Sequence, residues 1–260
     1  MFEVYWDDSG THEGSPIAIA ACYISTVKGW TKFVEEFNDI RHSEEFDCFH
    51  MADFAAYHEK DRKPWCDWDY VKRKRVYGRI AGALNPNKRV GFGFAVPKEP
   101  FDRLLAPLPE KLKDDIGRYH YTYAVRCVMG AIQQWREQSL LTNKPIQYIF
   151  DHGNLNEPEI ARMWHEISRI HMPFERYGME KDGYSFQCRC AFKPLQAADI
   201  LAWQLNSHMQ KVILAGKDDV KDMHRNMRIL RENQSVDLYF MDERQLAENF
   251  ANDLSRRGYR

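Results

Sequence analysis

The sequence lacks several features that would place it in common functional classes. No apolar run approaches membrane-spanning length, and the opening Met-Phe-Glu-Val-Tyr lacks the charged-then-apolar pattern of a signal peptide. The six cysteines are scattered through 260 residues, which argues against a disulfide framework. These absences predict a protein without a membrane partner that resides in the reducing cytoplasm.

The motifs of several enzyme classes are also missing. No Walker motif, Gly-rich dinucleotide loop, Gly-x-Ser-x-Gly elbow or His-Glu-x-x-His pattern occurs, which removes the usual kinases, dehydrogenases, esterases and zinc proteases. Cys188-x-Cys190 lacks the second pair of a zinc site, so we expect a structural role for it. The formal net charge is −1, so any nucleic-acid partner would have to bind a local basic patch.

What remains is an ordinary globular composition with 44% apolar residues, enough for a substantial core. Hydrophobic periodicity predicts strands and helices in mixed order. The predicted elements are a hairpin of strands 2–6 and 17–24, helix 30–40, helix 67–84 with Asp67 as its N-cap, strand 89–96, helix 118–141, strand 146–150, helix 158–170, a strand pair over 174–190, a helix carrying Asp199, and two helices near 219–231 and 243–256.

This order predicts one α/β domain over residues 1–260, with a mixed sheet flanked by helices as in ribonuclease H-like folds. A helical insertion at about 25–87 separates the second and third strands, and a helical extension covers about 216–260. No internal repeat or low-complexity linker divides the chain, so one domain with an insertion is favoured over two domains.

Three aspartates occupy positions where a carboxylate is costly. Asp7 ends the first strand, Asp151 ends the strand 146–150, and Asp199 lies in the apolar stripe of the helix that begins near Lys193. Taken singly, each has an ordinary interpretation as turn chemistry or as a buried, hydrogen-bonded side chain. Together, strand ends and an inward helix position can meet at the edge of an open sheet, where three carboxylates would hold Mg²⁺ or Mn²⁺.

The segments around these aspartates resemble a bacterial family known as domain of unknown function 3800, which is considered ribonuclease H-like. The similarity rests on Val-Tyr-Trp-Asp7-Asp8-Ser-Gly, Tyr-Ile-Phe-Asp151-His152 and Pro-Leu-Gln196-Ala-Ala-Asp199-Ile-Leu-Ala-Trp. It runs from residue 2 to about residue 205. The resemblance implies a ribonuclease H-like fold and leaves the reaction open, because the biochemical role of the family is poorly settled.

The sequence departs from this pattern at the fourth acid of a two-metal site. Ribonuclease H-like nucleases usually add a Glu from the helix after the third strand, but the corresponding helix has no acid between Tyr119 and Arg136. Either Asp8 or Asp53 is a candidate substitute. His50, in a segment similar to a His-containing motif of the family, is a candidate ligand, general acid or phosphate donor, or else an ordinary hydrogen-bonded histidine.

A basic segment supplies further candidates for contact with substrate. Residues 60–79 hold eight Lys or Arg among four aromatic residues, a composition that suits nucleic acid, although a solvated helix face is the favoured interpretation. From this segment Lys72 and Arg75 are predicted to bind substrate. Gln196 and Asp53 are predicted to do so from the neighbourhood of the acidic residues, with capping of a strand as the ordinary alternative for Gln196.

These observations lead to one principal hypothesis and two alternatives. The principal hypothesis is a divalent-metal-dependent phosphodiesterase, of nuclease type, with Asp7, Asp151 and Asp199 as metal ligands and Asp8 and His50 as further catalytic candidates. The first alternative is a non-catalytic ribonuclease H-like scaffold that binds nucleic acid or a protein. The second is a metal phosphatase that acts on small nucleotides. The terminal helices are candidate elements of a homodimer.

Overall fold

The computed structural model describes residues 1–153, 156–169, 173–180, 183–214, 225–231 and 235–256. Within these residues six strands form one mixed sheet, which agrees with the predicted α/β class with a mixed sheet flanked by helices. The strand order is β5-β4-β1-β2-β3-β6. The strands are β1 Phe2–Ser9, β2 Ile17–Thr26, β3 Val90–Pro97, β4 Ile146–Asp151, β5 Tyr184–Gln187 and β6 Val236–Phe240.

Helices cover both faces of this sheet, as the apolar stripes of the sequence require. A short 3-10 turn at Trp65–Asp67 precedes the third helix. The described α-helices are α1 Val27–Glu44, α2 Met51–Ala55, α3 Tyr70–Asn87, α4 Lys98–Leu105, α5 Glu110–Ile116, α6 His120–Gln138, α7 Glu157–Ile167, α8 Pro173–Tyr177, α9 Lys193–Leu214, α10 Arg225–Leu230 and α11 Glu243–Arg256.

The alternation of side chains along each strand divides the core into two layers. Tyr5 of β1 packs on one face with α1, α3 and α9, whereas Val4 and Trp6 pack on the other face with α6 and α7. In β4, Ile149 belongs to the α9 face and Phe150 to the α6 face. This division decides which polar side chains at the strand ends can meet.

Most strands also run in one direction. Strand β2 is antiparallel to β1 and β3, while β4 is parallel to β1, β5 to β4 and β6 to β3. The carboxyl ends of all described strands except β2 therefore lie at the same edge of the sheet. In open α/β sheets this edge is where ligands usually bind.

Two local predictions are wrong. Residues 174–190 do not form a strand pair; α8 occupies the first part, and β5 is a single strand parallel to β4. The predicted turn residues Lys181 and Asp182 lie outside the described residues. Helix α3 begins later than predicted, because the side chain of Asp69, and not Asp67, caps it by accepting from the backbone N–H of Lys72 at 2.6 Å.

The predicted all-helical extension is also wrong in part. Residues of β6 read Val-Asp-Leu-Tyr-Phe, and this alternating pattern adds a strand beside β3, with Gly91 opposite Val236. Helix α10 covers only 225–230 of the predicted 219–231, and 219–224 lie outside the described residues. Across the described ranges, no helix is both long enough and apolar enough to cross a membrane.

Candidate functional site

Two of the three aspartates are neighbours at the carboxyl edge of the sheet. In the parallel pair of β1 and β4, Trp6 lies opposite Phe150, so Asp7 and Asp151 follow at the same level. Because side chains alternate, both point to the α9 face, as Tyr5 and Ile149 do two residues earlier. Asp7 is 3% exposed and Asp151 is 9% exposed.

Helix α9 brings the third aspartate to the same place. It lies across β1 and β2 with Leu195 and Ala202 in the core, and the helical period turns Asp199 toward the sheet. Asp199 is 5% exposed, and its Oδ2 accepts the backbone N–H of Met51 at 2.6 Å. Three distant parts of the chain thus place carboxylates together.

The counter-ion among these carboxylates is Arg189, in the turn after β5. Its guanidinium lies 3.9 Å from Asp7 Oδ1 and 3.5 Å from Asp199 Oδ1, and it contacts Asp151 Oδ2 more closely. The Nε of Arg189 donates to Asp151 Oδ2 at 2.8 Å, and its backbone N–H donates to Asp151 Oδ1 at 3.2 Å. The arginine is therefore held firmly by Asp151 and loosely by the other two.

One guanidinium does not neutralise three carboxylates. Burial, followed by repulsion from Asp199, raises the pKa of Asp7 well above its usual value. Burial also raises the pKa of Asp199, against the lowering effects of His50 and Arg189. Burial lowers the pKa of Arg189, but the three carboxylates more than compensate and raise it above its ordinary value.

Asp7 Oδ2 is buried, and no donor group in the described part of the chain hydrogen-bonds to it. The raised pKa values of Asp7 and Asp199 favour retention of a proton by this pair, and a cation could take the place of that proton.

The donor set suits a hard cation, since it consists of carboxylate oxygens and includes the unsatisfied Asp7 Oδ2. In the described residues no group of three or more His, Cys, Asp or Glu is arranged so that it could hold a metal ion. The guanidinium of Arg189 lies among the three carboxylates instead. The residues fit a divalent cation by their chemistry, while the chain itself supplies a competing positive charge.

His50 lies at the rim of the site. Its Nε2 is 3.9 Å from Asp199 Oδ1, and its Nδ1 is 2.9 Å from Asp53 Oδ2. Asp53 is in turn paired with Arg62 at 2.7 Å. Because a carboxylate only accepts, Nδ1 carries the proton, and Nε2 is the nitrogen directed to the aspartates. Asp53 thus orients His50 and does not join the three aspartates.

Gln196 fixes the backbone around the site. Its Oε1 accepts from the N–H of Phe49 at 2.7 Å, and its Nε2 donates to the carbonyl of Arg189 at 2.7 Å. The side chain is fully buried. This placement gives Gln196 a structural role, so the ordinary alternative for it describes the structure better than the predicted contact with substrate.

A disulfide between Cys48 and Cys190 joins the same two segments. It corrects the expectation of unlinked cysteines, because the chain brings these two together from 142 residues apart. Cys188 is an exposed free thiol, so Cys188-x-Cys190 is divided between a free and a bonded cysteine. The cross-link and Gln196 together hold Arg189 beside Asp151. Disulfides are rare in a reducing cytoplasm, where the protein is predicted to reside.

Asp8 lies on the other face of the sheet from Asp7, because consecutive strand residues alternate. Its Oδ2 accepts from Thr11 at 2.5 Å, and its charge contributes to the raised pKa of Tyr121 on α6, after the larger effect of burial. The structure does not bring Asp8 to the three aspartates as the predicted catalytic substitute. His152 points away too, toward Glu157.

The helix that lacks an acid, α6, packs on the face opposite Asp7. Its buried apolar residues belong to the layer that holds Trp6 and Phe150. The first turn of α6 still lies near the site, because burial, followed by the charges of Asp8 and Asp7, raises the pKa of Tyr121. The sequence comparison alone did not reveal on which face the helix lies.

The structure does not bring Lys72 and Arg75 into contact with the aspartates. The guanidinium of Arg75 donates to both carboxylate oxygens of Glu44, and the ammonium of Lys72 lies 4.2 Å from the Trp68 ring centroid. Trp65 and Trp68 are buried core residues and offer no stacking platforms. The interpretation of this segment as a solvated helix face, packed on α1, agrees with these contacts.

The sequence reasoning missed Arg189 and the Cys48–Cys190 link. A signal was present, because an arginine between two cysteines follows directly after β5. The incorrect strand pair concealed it, since a hairpin would not place residue 189 beside the end of β4. Only the parallel pairing of β4 with β5 does so.

No protein-family model matches the chain, and no curated protein matches it at a significant level. The resemblance to the domain of unknown function 3800 family therefore stays a prediction based on the motifs, and the function has to be argued from the site.

Proposed function

We propose that this protein is a divalent-metal-dependent phosphodiesterase that acts on nucleic acid. Asp7, Asp151 and Asp199 would hold Mg²⁺ or Mn²⁺. The observation that carries the proposal is the excess of acid: three buried carboxylates share one guanidinium, and Asp7 Oδ2 has no donor among the described residues. Uncompensated buried charge is costly and persists where function requires it.

A bound divalent cation would supply charge neutralisation and an activated water for attack on phosphorus. The chain's own residues determine the rest. Asp7 and Asp151 approach from adjacent strand ends and Asp199 from above, so the carboxylates surround one position at the edge of the sheet. The substrate would approach from the side on which Arg189 is 26% exposed.

His50 is placed to move a proton in this reaction. Asp53 holds Nδ1, so Nε2 can accept a proton from water or, when protonated, give one to a leaving oxygen. The imidazole is 38% exposed, so a solvent proton can reach it. This geometry supports the general acid–base role among those predicted for His50.

We propose the ribonuclease H-like variant of the α/β fold for this domain. The consecutive antiparallel strands β1, β2 and β3, with β4 and β5 added in parallel beside β1, support it. Strand β6 and helix α11 are additions at the far edge. The nucleic-acid substrate and the homodimer are proposals that rest on the sequence.

A non-catalytic scaffold is the second candidate, and one observation favours it. Arg189 contacts all three carboxylates and provides the positive charge that a cation would otherwise supply. In that case the cluster would be a structural ion network that connects β1, β4 and α9. The two candidates differ in whether a divalent cation binds.

Metal binding is the decisive experiment. Mn²⁺ titrated into the purified protein, followed by calorimetry and thermal melting, should bind and raise the melting temperature. Asp199→Asn should abolish both effects. Asp8→Asn is the matched control, because Asp8 adjoins Asp7 but lies on the other face of the sheet. Cleavage of DNA and RNA is then measured with Mg²⁺ or Mn²⁺.

The outcomes separate the candidates. Binding that depends on Asp199 but not on Asp8, together with cleavage, supports the enzyme. Absence of Mn²⁺ binding supports the scaffold. Turnover of mononucleotides but not of polymers would replace the nuclease with the phosphatase alternative.

A further inference from the structure

We propose that Arg189 is a substrate-binding residue, whose guanidinium contacts a non-bridging oxygen of the substrate phosphate while Asp151 holds it in place. The inference rests on the proposed function and adds to it a residue absent from the predicted set. It starts from the unequal contacts of Arg189 with the three aspartates.

The inner half of Arg189 is fixed. Its backbone N–H and Nε both donate to Asp151, and its carbonyl accepts from Gln196. The adjacent Cys190 is cross-linked to Cys48. These contacts come from three directions, so binding of a cation would not require Arg189 to leave.

One terminal nitrogen of Arg189, Nη1, is loosely held, whereas Nη2 also donates to Asp151 Oδ2. Nη1 lies 3.5 Å from Asp199 Oδ1 and Nη2 lies 3.9 Å from Asp7 Oδ1, beyond the distance of a good hydrogen bond. If Asp199 turned to a cation, the N–H groups of Nη1 would lose their nearest acceptor. A guanidinium has a planar, fork-like set of donors that matches phosphate oxygens.

The exposure of the side chain agrees with this role. Asp7 and Asp199 are almost fully buried, while the arginine side chain remains 26% exposed at the same cluster. The exposed part of the side chain lets an incoming anion reach the guanidinium.

Two binding constants test the proposal: that of Mn²⁺ for the free protein, and that of a phosphorothioate dinucleotide for the Mn²⁺-loaded protein. Both are measured by calorimetry on wild type, Arg189→Gln and Arg189→Lys. The Gln variant should bind Mn²⁺ several-fold more tightly, because a competing positive charge is gone. It should bind the dinucleotide roughly 10- to 100-fold more weakly, with the Lys variant in between.

The matched control is Arg79→Gln, which removes an arginine that pairs with the buried carboxylate of Glu44. Both constants should stay within about twofold of wild type. The melting temperature of Arg189→Lys should equal that of wild type, which shows that this variant is folded. If Arg189→Gln is unfolded, the Lys variant alone tests the loss of phosphate binding.

Each outcome is decisive. Tighter metal binding with unchanged dinucleotide binding would make Arg189 a counter-ion only and overturn the inference. Weaker binding of both ligands would indicate a structural role and overturn it as well. Failure of wild type to bind Mn²⁺ would overturn the proposed function and this inference together, and is distinguished by the first titration.

Discussion

Two clusters in this protein pair buried carboxylates with arginine, and they differ in the ratio of carboxylates to arginines. Glu44, at the end of α1, faces both Arg75 and Arg79 of α3. Hydrogen bonds from Arg75 lower the pKa of Glu44, and a hydrogen bond from Arg79 adds to this effect. Burial of Glu44 opposes the lowering only in part. At the sheet edge, three aspartates face the single Arg189, and the pKa of Asp7 is raised.

The difference separates a structural ion pair from a functional site. The Glu44 cluster is saturated, because each carboxylate oxygen meets a guanidinium and the arginines reach solvent. The aspartate cluster retains surplus negative charge that only a proton or a cation can balance. A fold that needed the aspartates only for stability would gain by losing one of them.

The largest expected effect concerns the cross-link that holds Arg189 in place. Cys48→Ser should lower the free energy of unfolding by about 3–5 kcal/mol, because the bond closes a long loop and restricts the unfolded chain. Urea denaturation with and without dithiothreitol measures this. The Glu44 cluster depends on no such bond, so its helices should be affected only through global stability.

Cys188→Ser is the matched control for the cross-link. Its thiol is exposed and free, so the variant should match wild type and keep the sensitivity to dithiothreitol. If wild type were equally stable with and without the reductant, the cross-link would not stabilise the protein in solution.

The second largest expected effect is a stabilisation, although most substitutions in a protein core destabilise. Without metal, Asp7→Asn should raise the free energy of unfolding at pH 7 by about 1–3 kcal/mol. The folded-state pKa of Asp7 is raised, so above about pH 4 the unfolded chain releases a proton that the folded protein retains. Stability of wild type therefore falls as pH rises from about 4, and the advantage of Asn grows over the same range.

Urea titrations of Asp7→Asn from pH 4 to pH 8 in the presence of EDTA check this prediction. Wild type and variant should converge near the acid end. An advantage that stays constant across the range would show that the gain comes from packing and not from the titration of Asp7.

Glu44→Gln should change the free energy of unfolding in the opposite direction to Asp7→Asn and by a smaller amount. The folded-state pKa of Glu44 is lowered, so its contribution is complete above about pH 5 and is lost as pH falls through the folded pKa. Because half-exposed arginines are screened by water, we expect a loss of about 1 kcal/mol at pH 7. The loss should disappear at the acid end, where the Asp7→Asn difference disappears as well.

The sequence predicted much of the fold from its strongest periodic signals. The hairpin of β1 and β2, the stripe of α6, and the strands β3 and β4 were found close to their observed bounds. The errors in the type of element fell on short segments. Strand β5 has only four residues, and β6 has five near segments of helical period, so neither had a pattern long enough to decide its type.

For the site, local sequence located the aspartates but not their partner. Asp7, Asp151 and Asp199 each stand at a polar position next to an apolar run, which sequence alone reveals. Arg189 follows no long apolar run, and its place between two cysteines was the only local signal for it. The positions of Arg189 and of Asp8 depend on strand pairing and on the choice of face, and a one-residue shift reverses the face.

The smallest expected effect tests redundancy in the saturated cluster. Arg79→Gln should cost at most about 0.5 kcal/mol at pH 7, because Arg75 still donates to both oxygens of Glu44, at 3.1 and 2.7 Å. In the described residues no second arginine or lysine supports Arg189 in this way. Urea denaturation of Arg79→Gln beside Arg189→Gln, both without metal, therefore compares a replaceable cation with an essential one. Equal losses in the two variants would mean that the ratio of acid to arginine does not distinguish the two clusters.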